Sequence, residues 1–154
     1  MKIYLASDHA AYDLKEKVKK YLVEHNYDIE DVGTHSTEAA NWAEYGAKAA
    51  GSVSQDPVNS KAIIICGTGI GMSLVSNKFK NVRAALCHDE FTTEMSRKHN
   101  NANVLNMGAR VISEEKALKL VEIWLTTEFE GKKTPRYQER LDYLHNVVEK
   151  NNFK

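Results

Sequence analysis

The stretch KAIIICGTGIGMSLVSNK, residues 61–78, decides the fold of this chain. The apolar β-formers of residues 62–65 predict a buried strand, which ends at Cys66. Three glycines in alternate positions follow: Gly67, Gly69 and Gly71. A strand that turns through glycines into a helix directs backbone N–H groups, and the positive end of the helix dipole, at one point in space. The stretch therefore predicts a strand–turn–helix unit with an anion cradle beside a thiol.

Strand and helix patterns alternate along the rest of the chain. Apolar runs predict strands at residues 2–6, 28–32, 62–65, 82–87 and, as a short strand or two, 103–111. Helical spacing predicts helices at residues 12–25, 37–52, 71–79, 90–99, 117–125 and 134–150. This order is typical of an α/β fold: one Rossmann-like αβα sandwich, residues 1–154, with a doubly wound parallel sheet of about five strands.

This topology also predicts where a ligand binds. In open parallel sheets, ligands bind at the carboxyl ends of the strands where the strand order reverses, and the first and third strands flank that point. Asp8 and His9 follow the first predicted strand, whereas Cys66 and Thr68 follow the third. We expect these four residues to share one crevice.

Composition excludes several classes of protein. Basic and acidic residues both number 21, and this balance argues against a broad affinity for nucleic acid or an anionic membrane. No apolar run resembles a signal peptide or a membrane span. Two cysteines are too few for a disulfide framework, so we expect a reducing, cytoplasmic setting, with Cys87 as a buried strand residue.

The glycine turn fits three known phosphate-binding patterns poorly. A dinucleotide fingerprint needs G-x-G-x-x-G, whereas this turn has G-x-G-x-G. A phosphatase loop would need an arginine within residues 67–73, and a Walker loop would need a lysine earlier than Lys78. Two interpretations remain: Cys66 is a base or nucleophile with a thiol pKa below about 8.5, or it is an inert residue in a tight turn.

Six motifs resemble, in collinear order, the type B ribose-5-phosphate isomerases, a group within the RpiB/LacAB family of sugar-phosphate isomerases. They are SDHAAYDLKE, DVGTHS, IIICGTGIGMSLVSNK, VRAALCHD, RKHNNANVLNMGARV and WLTTEFEG, and the likeness covers roughly residues 2–144. The resemblance implies reversible aldose–ketose isomerisation of ribose 5-phosphate without a metal or organic cofactor.

The resemblance also implies roles for the residues around the turn. Cys66 matches the general base that moves a proton between C2 and C1 of the sugar. Backbone N–H groups of Gly67, Gly69, Ile70 and Gly71 would bind the negative oxygen of the enediolate, as an oxyanion hole does. The Thr68 hydroxyl is placed to assist.

Other family positions match residues outside the turn. Asp8 would contact the sugar and His9 would help to hold its phosphate, although Asp8 could also serve only as a helix cap. His99 matches the ring-opening histidine and Asn100 a ligand of a sugar hydroxyl; without the resemblance, His99 reads as a surface residue late in a helix. In the family these two come from the neighbouring subunit, which implies at least a homodimer and leaves a tetramer of two dimers open.

The phosphate site departs from the family pattern. The family usually has FEGG-RHxxRV, and a gapped alignment places Arg136 and Arg140 at the two arginines, on one face of the last helix. An ungapped alignment would place Lys133 and Tyr137 there instead. We prefer the gapped alignment, so the helix at about 134–150 is expected to contribute to the phosphate site, the dimer interface or both. Solvated surface arginines are the alternative.

The choice of sugar is open on sequence alone. Trp42 and Tyr45 occupy the segment where the family commonly has Asp-Tyr-Pro-x-Tyr, and Trp42 replaces an aromatic residue that borders the sugar. The resemblance implies that both residues contact the substrate. Isomerisation of a six-carbon sugar phosphate, such as allose 6-phosphate or galactose 6-phosphate, is the enzymatic alternative. A sugar-phosphate-binding protein without catalysis is the alternative from another class.

Overall fold

The computed structural model describes residues 1–150 and contains one five-stranded parallel sheet. Its strands are β1 (Lys2–Ser7), β2 (Asp28–Gly33), β3 (Ser60–Cys66), β4 (Ala84–Leu86) and β5 (Val104–Gly108). They lie in the order β2-β1-β3-β5-β4, and every neighbouring pair is parallel. The strand order reverses between β1 and β3, and the predicted α/β fold is confirmed.

Helices cover both faces of the sheet. They are α1 (Tyr12–Glu24), α2 (Trp42–Gln55), α3 (Ile70–Ser76), α4 (Glu90–Lys98), α5 (Glu114–Thr126) and α6 (Pro135–Tyr143). A short 3₁₀ turn, His9–Ala11, precedes α1, and a π-helical segment, Leu144–Val148, continues α6. None of the helices within residues 1–150 is both long and apolar enough to cross a membrane.

Alternation along β3 divides the core into two layers. Ile63 and Ile65 point into a cluster with α1 and α5, in which Trp124 is completely buried. Ile64 and Cys66 point to the opposite face, where they pack with residues of α2 and α3. Successive side chains of a strand face opposite sides of the sheet, so the register of β3 determines that the Cys66 thiol lies on the α2–α3 side.

The predicted start of the second helix, Thr37, was wrong. The helix begins at Trp42 because the Asn41 side chain caps it by accepting a hydrogen bond from the Ala43 N–H at 3.0 Å. The preceding residues form a loop, in which the Ala40 N–H donates to Nδ1 of His9 at 3.1 Å. The sequence pattern suggested an earlier start because the segment is rich in alanine. The residues before Asn41 instead form a loop that borders the site.

Other boundaries differ for similar local reasons. Strand β4 is shorter than predicted, since Asn81 has a left-handed φ of 64° and the Arg83 N–H donates to the Asn103 side chain at 2.8 Å. Helix α5 begins earlier than predicted, since Ser113 caps it by accepting from the Lys116 N–H at 3.2 Å. The region 103–111 holds a single strand, β5.

Candidate active site

A crevice opens at the carboxyl edge of the sheet, between β1 and β3. Its cavity of about 230 Å³, here called the Cys66 cavity, is lined by Asp8, His9, Ala10, Trp42, Cys66, Gly67, Thr68, Gly71 and Arg110. The prediction that the residues following β1 and β3 share one crevice is confirmed. The adjacency of the two strands brings together side chains that lie almost 60 residues apart in the chain.

Cys66 ends β3, and its side chain is only 5 % exposed. The Gly69 N–H donates a hydrogen bond to its sulfur, with a nitrogen–sulfur distance of 3.1 Å. The turn therefore directs a backbone donor at the sulfur itself, in addition to the N–H groups that open the first turn of α3.

Gly69 is a position that only glycine fits. Its φ is +78°, in the left-handed region, and it caps α3. A Cβ atom built there would overlap Cδ1 of Leu86 and come within 2.9 Å of the Met107 carbonyl carbon. The Gly69 N–H can approach Cys66 because the backbone packs this closely against β5.

Gly71 and Trp42 form one wall of the Cys66 cavity. A Cβ on Gly71 would lie 3.0 Å from ring atoms of Trp42, so the indole rests against the first turn of α3. Trp42 is 41 % exposed and lies at the mouth of the cavity. Tyr45, which we also predicted to border the sugar, is not among the residues that line this cavity; its ring packs beneath Gly33.

Asp8 and His9 face the cavity from the end of β1. Asp8 is 6 % exposed, and its Oδ1 has no hydrogen-bond partner among the described residues. A buried carboxylate oxygen usually has a donor, and a sugar hydroxyl in the cavity could supply one. His9 accepts the Ala40 N–H at Nδ1, so neutral His9 carries its proton on Nε2 and can donate from it.

Arg110 is the residue of this site that sequence reasoning missed. Its side chain passes the glycine turn, and a Cβ on Gly67 would lie 3.5 Å from its Nε. Two backbone bonds hold it there: the Arg110 N–H donates to the Gly67 carbonyl at 2.9 Å, and the Ala109 N–H to the Cys66 carbonyl at 2.8 Å. The only signal available was its position just past the end of β5, the strand adjacent to β3.

His99 and Asn100 lie far from Cys66 within one chain. They follow α4, which returns the chain to the amino edge of the sheet, whereas Cys66 lies at the carboxyl edge beside Gly108. The four-residue step from Val104 to Gly108 spans about 13 Å along the strand. Asn100 instead lines a different, larger cavity of about 750 Å³ beside the C-terminal segment.

Helix α6, which carries Arg136 and Arg140, packs beside His99. The His99 ring packs on the Tyr137 ring with centroids 4.5 Å apart, and the Arg136 guanidinium lies 5.4 Å from the centroid of the same ring. Arg136 and Arg140 are both exposed, as is Lys133. His99 and Arg136 therefore lie together on the buried ring of Tyr137, separate from the Cys66 cavity of the same chain.

The second cysteine has different surroundings. Cys87 is 2 % exposed in the α1–α5 layer of the core, and burial raises the pKa of its thiol. No group of three or more His, Cys, Asp or Glu side chains within residues 1–150 is arranged to hold a metal ion.

Comparison with known proteins places this site in a family. The family model described as Ribose/Galactose Isomerase matches residues 3–144. The chain is 35 % identical over 151 residues to ribose-5-phosphate isomerase B of Escherichia coli, covering 98 % of this chain and 99 % of that protein. It is 36 % identical over 144 residues to D-erythrulose-4-phosphate isomerase of Pectobacterium atrosepticum, covering 93 % and 94 % of the two chains.

A solved structure shares the fold over almost the whole chain. The structure of ribose-5-phosphate isomerase B from Mycoplasma genitalium, with bound ribulose 5-phosphate, superposes with a TM-score of 0.92. The sequences are 32 % identical, and the match covers 96 % of each chain. The chain therefore belongs to the ribose/galactose isomerase family of sugar-phosphate isomerases.

Proposed function

We propose that this protein interconverts ribose 5-phosphate and ribulose 5-phosphate through a cis-enediolate, with Cys66 as the general base. One observation carries the proposal: Gly69 donates its N–H to the Cys66 sulfur at 3.1 Å inside a cavity that Asp8, His9 and Arg110 also line. This arrangement supplies a base, a hydroxyl acceptor and cationic or N–H donors for a phosphate.

The proton transfer balances without a cofactor. The Cys66 thiolate removes the proton from C2 of the open-chain aldose, and the electrons of that C–H bond form the enediolate. N–H groups of the first turn of α3, at Ile70 and Gly71, stabilise its negative oxygen, and the Thr68 hydroxyl assists. Transfer of the O2 hydroxyl proton to O1, together with return of the proton from Cys66 to C1, gives the ketose and leaves Cys66 as the thiolate.

In this proposal, a second copy of the chain supplies the residues that open the sugar ring and some of the side chains that bind the phosphate. His99 and Asn100 lie at the amino edge, so they can act at a Cys66 cavity only if that cavity belongs to another copy. Arg136 lies beside the His99–Tyr137 pair, and Arg140 is four residues further along α6, so both would approach the same cavity together. We therefore propose a homodimer in which each active site contains residues of both chains. Pairing of two such dimers into a tetramer would be a separate step.

The phosphate would then lie between charges from both copies. Arg110 and the Nε2–H of His9 approach it from the chain that carries Cys66. Arg136 and Arg140, which lie four residues apart on one helix, approach it from the other chain and can form a fork around it. A doubly charged phosphate thus anchors the sugar by interactions that do not change during the reaction.

Purified full-length protein should convert ribose 5-phosphate to ribulose 5-phosphate in the presence of EDTA. Loss of turnover on chelation would contradict a metal-independent mechanism. Binding of the sugar phosphate without turnover, on five- and six-carbon substrates alike, would support the non-catalytic alternative instead.

Subunit complementation tests the shared site. Cys66→Ala and His99→Ala chains, coexpressed with different affinity tags and purified through both, form dimers in which one composite site keeps both residues. We expect about half of the doubly tagged wild-type activity. If each site belonged to one chain, both sites would be defective and these dimers would be inactive, like doubly tagged Cys66→Ala homodimers. Failure to recover any doubly tagged dimer would also contradict the proposal.

Trp42 supports a five-carbon or shorter substrate over a six-carbon one. Its indole lines a cavity of about 230 Å³, and a relative of this chain is named a D-erythrulose-4-phosphate isomerase, whose sugar has four carbons. We expect kcat/KM to fall from five- to six-carbon substrates. Trp42→Ala should narrow that gap about tenfold, since one extra carbon against an apolar wall is worth a factor of this size. An unchanged ratio would exclude Trp42 as the determinant.

A further inference from the structure

A second cavity lies at the opposite edge of the sheet from Cys66. It has a volume of about 360 Å³ and opens where β3, β4 and β5 begin. Lys61, Arg83 and Arg97 contribute its cationic groups, and His145 contributes an imidazole whose Nε2 lies 3.2 Å from Nη1 of Arg83. We call it the Lys61 cavity. The other described residues that line it are Pro57, Val58, Ser60, Asn81, Asn101 and Asn103, so none of them carries a carboxylate.

The two arginines are held in place by carbonyl oxygens. Arg97 is 7 % exposed, and its Nη1 donates to the Ala102 carbonyl at 2.6 Å and to the Asn101 side chain at 2.9 Å. Arg83 donates from Nε to the Asn101 carbonyl at 2.9 Å and from Nη1 to the Asn81 carbonyl at 3.3 Å. These bonds fix both guanidinium groups and leave each Nη2 without a hydrogen bond among the described residues.

Lys61 has even fewer partners. Within residues 1–150 its ammonium group makes neither a hydrogen bond nor an ion pair, and it lies 5.1 Å from the centroid of the Trp124 ring. Arg97 approaches the same ring at 5.7 Å. Cation–π contacts partly offset the loss of water around each cation, but they do not neutralise two like charges that share one indole.

The charges of this region are out of balance. Glu149, the acidic residue that adjoins it, is 3.1 Å from His145 and also accepts the Asn81 N–H at 3.0 Å. Burial, together with repulsion from Arg97, lowers the pKa of Lys61 to about 8, and burial with repulsion from Arg83 lowers that of Arg97 to about 10. An anion in the cavity would offset the repulsion between these cations and give each of them a partner.

We propose that the Lys61 cavity binds a small oxyanion of the phosphate class, inorganic or carried by a metabolite, at a site separate from the Cys66 cavity. The free Nη2 group of each fixed guanidinium can donate N–H bonds to the oxygens of a phosphate, and a lysine adds a mobile point charge. The residues of this cavity have no part in the isomerase mechanism above, so binding here does not depend on the proposed function.

Calorimetric titration of the full-length protein with inorganic pyrophosphate tests the site. Lys61→Met keeps the length of the side chain and removes the charge; Lys20→Met, at an exposed position on α1, is the matched control. We expect wild type and Lys20→Met to bind one more pyrophosphate per chain than Lys61→Met. If the stoichiometry is the same, wild type and Lys20→Met should bind pyrophosphate at least about tenfold more tightly than Lys61→Met, because each retains a hydrogen bond to a charged group. Identical isotherms for all three would overturn the proposal.

Two further readouts separate this site from the Cys66 cavity. Lys61→Met should keep the wild-type turnover of ribose 5-phosphate and the same inhibition by pyrophosphate, since both report on the Cys66 cavity. Without anion it should unfold at the same temperature as wild type or higher, because it relieves repulsion with Arg97. Pyrophosphate or phosphate should then raise the unfolding temperature of wild type more than that of Lys61→Met. Equal rises would mean that the anion binds elsewhere.

Discussion

At the carboxyl edge of the sheet, the Cys66 cavity presents backbone N–H groups, one buried carboxylate and one arginine, whereas the Lys61 cavity at the amino edge presents three cationic side chains. Backbone donors around Gly69 are rigid and already oriented, so they suit a charge that develops during a reaction. Long cationic side chains suit a charge that is permanently present. On the two proposals above, the glycine turn serves catalysis, whereas the cations at the amino edge serve binding.

The largest expected effect concerns the two cysteines. Cys66→Ala should lower kcat about a thousandfold, which lies within the range for loss of a positioned general base, while ribose 5-phosphate still binds. Cys87→Ala should leave kcat unchanged and cost about 1 kcal/mol of unfolding free energy, because it removes one buried heavy atom from the core. Steady-state kinetics and urea unfolding measure both. Comparable turnover in the two variants would remove Cys66 from the role of base.

Arg110→Met should have a smaller effect, which appears in KM and distinguishes the Cys66 cavity from the Lys61 cavity. Loss of a charge-assisted hydrogen bond to phosphate should raise KM for ribose 5-phosphate roughly 10- to 100-fold. Lys61→Met, which removes a cation from the amino edge instead, should leave KM as in wild type. If both variants raised KM equally, the effect would be one of overall charge rather than of a contact in the Cys66 cavity.

Gly69→Ala tests the glycine turn through its backbone. The left-handed φ and the overlap with Leu86 should lower the unfolding free energy by roughly 1–3 kcal/mol and shift the N–H away from the Cys66 sulfur. Gly51→Ala is the control, because a Cβ in that part of α2 meets Phe79 at an ordinary 3.4 Å. It should be neutral or stabilise the protein by up to about 1 kcal/mol. A Gly69→Ala protein with wild-type stability and kcat would contradict the geometry.

The smallest expected effect is the change in unfolding free energy with pH that Lys61, at the amino edge, produces. The pKa of Lys61 is about 8 in the folded chain, below its ordinary 10.5. Between these values the unfolded state binds more protons than the folded state, so this group makes the unfolding free energy rise with pH. Without anion, the unfolding midpoint of wild type relative to Lys61→Met should therefore increase from pH 7.5 to 9.5. Parallel curves would mean that Lys61 is not titrating near Arg97 and Arg83.

The part of the site around Cys66 was predictable because it is local in sequence. The strand, the glycine turn and the helix after Cys66 are consecutive, and strand alternation fixes the face on which the thiol lies. Asp8 and His9 could be added because parallel topology places the ends of β1 and β3 side by side. Arg110 was missed because its place in the cavity depends on backbone bonds to Cys66 and Gly67, which no spacing in the sequence reveals.

The start of α2, by contrast, could not be predicted from local sequence. Alanine-rich composition favours a helix, but the side chain of Asn41 and the bond from Ala40 to His9 decide where the helix begins. That bond joins residues 31 positions apart. The position of Trp42 at the mouth of the Cys66 cavity follows from it.

By itself, the sequence determined the α/β class, the alternation of elements, the glycine turn beside Cys66 and the family likeness, since these depend on short-range patterns. Only the tertiary structure decided three further features. It placed Arg110 in the Cys66 cavity, put His99 at the opposite edge of the sheet and gathered Lys61, Arg83 and Arg97 around a second cavity. Each depends on strand order and packing between distant segments, because charged side chains far apart in the chain meet only when the sheet brings their strands together.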